Sequence, residues 1–190
     1  NTVSTGINKF SESSGSGAAD MQKTEFESVI YPLIVTETKD FESVSDLGNE
    51  ELINIAVWEL VINGKKSVFE DQETGDILFP QDQMTYIVEK LFGEDIKLDH
   101  SDSGIGDIII SYDKKKKQYI IPKDTDLYSY YPKVTDIAET DDTYTVYADC
   151  YKSTPPWNSG KADPEKRVMV TLKKTQDYYN IISLKTIPLA

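Results

Sequence analysis

Apolar and polar positions change period near the middle of this 190-residue chain, at about residue 105. Before it, several runs recur at i, i+3, i+4, the spacing of one helix face. After it, apolar and polar residues alternate, the spacing of a half-buried strand. In 49–62, Leu52, Ile53, Ala56, Val57, Leu60 and Val61 form one stripe, and Ile55, Trp58 and Ile62 widen it. A helix this apolar is normally cradled on more than one side. Asp46 or Asn49 is its candidate N-cap, Glu50 and Glu51 suit the positive end, and Asn63-Gly64 predicts a left-handed stop. In 81–92, Met84, Ile87, Val88, Leu91 and Phe92 trace a one-faced helix, with Pro80 at its start and Gly93 at its end.

Residues 24–37 are apolar and β-branched, and Pro32 argues against a central strand, so an edge strand or extended segment is expected there. Thr74-Gly75 marks a turn between two short apolar pieces. Alternation then predicts strands at 106–112, 117–121, 133–139, 143–152, 166–174 and 178–187, with turns at 113–117, 140–142 and 175–177. Helices first and a strand meander afterwards give an α+β fold. Its N-terminal helices would pack on one face of a bent antiparallel sheet of about 4–6 strands. Residues 11–19 are Ser/Gly-rich, so 1–22 are expected to be a tether and 23–190 a single domain.

Three stretches carry a resemblance. They are Gly75-Asp-Ile-Leu-Phe-Pro80 leading into a helix that ends Lys90-Leu-Phe-Gly93, then Lys117-Gln-Tyr-Ile-Ile-Pro122, and Asp177-Tyr-Tyr-Asn-Ile-Ile-Ser-Leu184. With the order helix, helix, bent sheet, they resemble the cystatin-like superfold that includes the NTF2-like proteins. They also resemble extracytoplasmic lipoprotein domains of Gram-positive bacteria. The resemblance covers residues 45–188 and implies a fold and a place outside the cytoplasm, anchored to the outer face of the cell membrane. The chain begins at Asn1, which fits a processed product whose anchor preceded it. That fold hosts unrelated enzymes and binding modules, so function has to come from a site.

Charge narrows the partners. The net charge is −13, and residues 1–100 hold 20 acidic side chains against 7 basic ones, whereas 101–190 balance. Such a surface repels phosphate backbones and argues against nucleic acid. The basic run Lys114–Lys117 reads as a solvated hairpin turn. No apolar run approaches the length of a membrane span, so the membrane is expected only through an N-terminal anchor.

Motifs narrow the chemistry. There is no Gly-rich phosphate loop, no metal-spaced His/Cys set and no Gly-x-Ser-x-Gly elbow, so neither cofactor nor metal is expected. The one histidine, His100, lies in a polar loop; the one cysteine, Cys150, shares an alternating face with Tyr144, Val146 and Ala148 and reads as a small buried hydrophobe. Asp95, Asp99, Asp102 and Asp107 lie in a Gly/Ser loop, but an EF-hand aligned on Asp99 would need a carboxylate where Ile110 stands.

Tyr128, Tyr130, Tyr131 and Trp157 are the candidate ligand-binding residues, because aromatic rings near loops offer apolar area with a polar tip. This favours a non-catalytic binding or interaction domain whose partner is a protein or glycan at the cell surface. The alternative is an enzyme or ligand-binding protein with a pocket between the helices and the concave sheet, lined by Trp58, Tyr147 and Asp149.

Overall fold

The computed structural model describes residues 14–64, 69–123, 129–153 and 162–189. It opens on α1 (Ser14–Val35), a helix that replaces the second half of the expected tether and nearly all of the expected strand at 24–37. Phe26, Val29, Ile30, Leu33 and Ile34 carry the i, i+3, i+4, i+7, i+8 spacing, and each is at most 3% exposed. Burying that stripe outweighs the β preference of its branched residues. Pro32 lies inside the helix and cannot donate to the carbonyl of Ser28. The Asn63 side-chain amide donates to that carbonyl instead, at 3.0 Å.

Helix α2 (Asn49–Asn63) buries nine consecutive residues, Leu52–Leu60, so it is cradled on several sides. Its N-cap is Gly48, whose N–H donates to Glu51 Oε2 at 2.7 Å; Asp46 instead ends the short 3-10 turn Val44–Asp46, whose N-cap is Ser43, and accepts from the Ser43 N–H at 3.0 Å. Gly64 closes the helix with φ −70°, so the expected left-handed stop is absent. Glycine is needed there for space: a Cβ would lie 2.1 Å from the Leu60 carbonyl oxygen.

Two short strands, β1 (Phe69–Glu70) and β2 (Ile77–Pro80), flank a turn held by Asp71 Oδ1, which accepts from the N–H groups of Glu73 and Thr74. Helix α3 (Gln81–Phe92) follows, with Met84, Val88, Leu91 and Phe92 buried, and Gly93 ends it at φ 107°. Then come β3 (Ser103–Ile105), β4 (Ile108–Asp113) and β5 (Gln118–Ile121). Lys114–Lys117 form the exposed β4–β5 turn, where Asp113 Oδ1 accepts from the N–H groups of Lys115 and Lys116. The last strands are β6 (Tyr130–Glu139), β7 (Thr143–Lys152), β8 (Lys166–Lys174) and β9 (Tyr179–Ile187).

The class is α+β, but the strands form two antiparallel sheets where one was expected. The first has the order β1-β2-β5-β4-β3, and the second is the meander β6-β7-β8-β9. The separation has a local cause: β2 pairs with the side of β5 that β6 would have needed. Register shifts at Val134/Asp136 and Thr171/Leu172 bend the second sheet.

One face of that sheet carries Val134, Val146, Ala148, Cys150, Val168, Val170, Leu172, Ile181 and Leu184, and it shares a core with α1, α2 and α3. Phe26 of α1 packs on Tyr144 and Tyr179, with ring centroids 5.0 and 5.1 Å away. Glu27 closes the β6 edge by accepting from the Val134 N–H at 3.0 Å. At the other edge, Phe41 and Leu184 exchange both backbone hydrogen bonds. No described helix is long and apolar enough to cross a membrane.

Candidate functional site

A carboxylate in the middle of the apolar helix α2 needs a partner, because an unpaired buried charge is costly. Glu59 is only 4% exposed. Lys90 of α3 places its ammonium 3.5 Å from Glu59 Oε1, and Asn63 donates to Oε2 at 2.6 Å. The same ammonium lies 4.2 Å from the ring centroid of Tyr178, the last residue of the β8–β9 turn. The backbone carbonyl of Lys90 accepts from the Asn180 side-chain amide at 3.0 Å. Three separate elements thus meet at one lysine. Burial, then the nearby Glu59 and Glu25 carboxylates, pushes the Tyr178 hydroxyl above its ordinary value.

Around this junction the surface is grooved. A cleft of about 180 Å³ opens over Glu59, Leu60, Phe79 and Ile87. A second of about 530 Å³ lies between α3 and the turn Thr175–Tyr178. Tyr86 and Lys90 line both, so the two clefts adjoin at these side chains, and together they are called the groove along α3. The helix builds its wall by spacing: Met84, Val88 and Leu91 face the core, while Gln83, Tyr86, Ile87 and Lys90 form the adjoining stripe. Tyr86 is 66% exposed. Both Glu59 oxygens are engaged by donors, which holds the side chain in one place.

The residues expected from sequence lie elsewhere. Trp157 and Tyr128 fall outside the described residues. Tyr130 donates its hydroxyl to Glu165 Oε2 at 2.8 Å and lies under the Lys166 ammonium. Tyr131 points to the opposite face of β6 and stacks on Tyr151, with centroids 5.6 Å apart and planes 21° apart. Tyr147 and Asp149 share that outer face, since Val146, Ala148 and Cys150 between and beside them point into the core. Asp149 is 8% exposed and takes two hydrogen bonds from Arg167, at 2.6 and 3.1 Å.

Trp58 lies on α2, on the other side of the sheet from Tyr147 and Asp149, so these three do not line one pocket. The concave face is filled by Phe26, Ile30 and their neighbours.

No family model, curated protein or solved structure matches this chain. The site's geometry is therefore the ground for a functional reading.

Two remaining candidates have structural roles. His100 Nδ1 lies 2.9 Å from the Tyr119 hydroxyl and Nε2 lies 3.3 Å from Thr85 Oγ1, with the ring stacked on Tyr112. It therefore ties α3 to the first sheet, and burial holds it below its ordinary pKa. In the acidic loop, Asp102 Oδ1 accepts from the Tyr112 N–H, and Asp99 pairs through its backbone with the Asn49 side chain. Among the described residues, no group of three His, Cys, Asp or Glu side chains is placed to hold a metal ion.

Sequence reasoning missed the groove. Its signals were Glu59 inside an otherwise apolar helical run and Tyr86 on the polar side of α3.

Proposed function

We propose that this chain is a non-catalytic binding domain that works outside the cytoplasm, anchored at the membrane surface, with the groove along α3 as its ligand site. The observation that carries this is that two clefts adjoin at Tyr86 and Lys90, beside a charge pair between Lys90 and Glu59. An exposed aromatic beside a preorganised polar floor is the usual composition of a recognition site. The partner is a protein or glycan at the cell surface. The placement outside the cytoplasm is supported by the lipoprotein-like stretches 75–93, 117–122 and 177–184. A cystatin-like arrangement is supported by α1 packing on β6 and β7 of the meander β6–β9.

The test uses immobilised wild-type chain, Tyr86→Ala and Tyr147→Ser, each exposed to cell-surface protein and glycan fractions. The expected result is a component held by wild type and by Tyr147→Ser but lost from Tyr86→Ala. Loss from Tyr147→Ser with retention by Tyr86→Ala would move the site to the outer sheet face and overturn this assignment.

A further inference from the structure

The groove's margin carries carboxylates from both of its walls. Glu89 and Glu94 come from α3 and its C-terminal end, and Asp177 from the β8–β9 turn opposite. None of the three makes an ion pair among the described residues. Among the described residues, Lys90 is the one cation that lines the groove, and it is already paired with Glu59. The margin therefore presents uncompensated negative charge beside an exposed aromatic ring.

The chain also shows what such a surface accepts. Lys90 sets an ammonium on the Tyr178 ring with a carboxylate 3.5 Å away. Tyr86 repeats the components one helical turn from Glu89, but among the described residues no cation lies over its ring. A cation on an aromatic face beside a carboxylate is favourable, and more so where water is partly excluded.

Resting on the binding reading above, we propose that the groove takes a basic peptide segment, in which a lysine or arginine stands next to an apolar or aromatic residue. The cation would seat between Tyr86 and the acidic margin, and the apolar neighbour would enter the cleft over Leu60 and Phe79. A segment of several residues fits better than a small amine, because the two clefts adjoin along the helix.

The test is fluorescence anisotropy on the full chain with three labelled hexapeptides. One alternates lysine and phenylalanine; in the others, serine or glutamate replaces lysine. The lysine peptide is expected to bind saturably and to weaken with added salt. Glu94→Gln and Asp177→Asn should each weaken it about twofold to fivefold. Asp141→Asn, in the exposed β6–β7 turn, should leave it unchanged. If Asp141→Asn weakens binding as much as Glu94→Gln, general acidity explains the binding and the proposal fails. If the serine peptide binds as tightly and Tyr86→Ala abolishes it, the groove remains a binding site but the basic class is wrong. If none of the peptides binds at millimolar concentration, the proposal is overturned; the cell-surface capture with Tyr86→Ala then judges the broader reading separately.

Discussion

The side-chain amide of Asn63, at the end of α2, donates to the Ser28 carbonyl of α1, the carbonyl that Pro32 leaves without a donor. The bond lets a proline sit inside a core helix, and it ties that helix to α2. The same amide reaches Glu59, so helix repair and the floor of the groove share one residue.

That relationship gives a double-mutant prediction. Asn63→Ala should destabilise the chain by about 1–3 kcal/mol, the range for an unsatisfied polar group. Pro32→Ala restores a backbone N–H to Ser28, so Asn63→Ala should cost less in that background, by about 1 kcal/mol. Urea denaturation of the four proteins measures the coupling. Additive effects would mean that Asn63 does not serve the proline gap.

Asp149 and Arg167 form the main ion pair on the outer sheet face. Asp149→Asn should lower the denaturation midpoint, because it strands a guanidinium beside a largely buried position. Adding Arg167→Gln should recover part of the loss. A double variant less stable than either single one would contradict this.

His100 titrates with a definite sign. Its folded pKa lies below the ordinary 6.5, chiefly through burial, with Asp82 and Asp99 opposing. Its protonation therefore favours the unfolded chain. The stability it contributes is present above about pH 6.5 and is lost as pH falls through the lowered folded value. Thermal melts between pH 7 and pH 5 should show a steeper decline for wild type than for His100→Gln. Parallel declines would assign the acid sensitivity to other groups.

Cys150 is fully buried, and burial pushes its thiol up to about 11. A disulfide reagent at pH 8 should label it only as fast as the chain opens, and at once in denaturant. Rapid labelling of folded chain would contradict its place in the core.

Much of the fold was legible where one period ran uninterrupted. Strands 143–152 and 166–174 have the bounds that alternation predicts, and α3 spans the predicted 81–92. Helix α1 was misread because Pro32 and its branched neighbours outweighed the helical spacing of Phe26, Val29, Ile30, Leu33 and Ile34. Local propensity cannot register a distant Asn63 that repairs the helix. The second sheet was missed because period 2 sets which face a residue takes and leaves its strand partner open. Parity did hold information about Asp149 and Tyr147: a face occupied by Val146, Ala148 and Cys150 excludes them. The groove was illegible as a whole, since it joins residues as distant as Glu59, Tyr86 and Tyr178.

The most direct test of the groove is a ¹H–¹⁵N NMR titration of the isotope-labelled chain with the lysine–phenylalanine hexapeptide. Saturable shifts are expected, confined to α3, the end of α2 and the turn Thr175–Tyr178, with Tyr86 and Asp177 among the largest. Shifts centred on Tyr131, Tyr147 and Tyr151, or no saturable shifts at millimolar peptide, would contradict it.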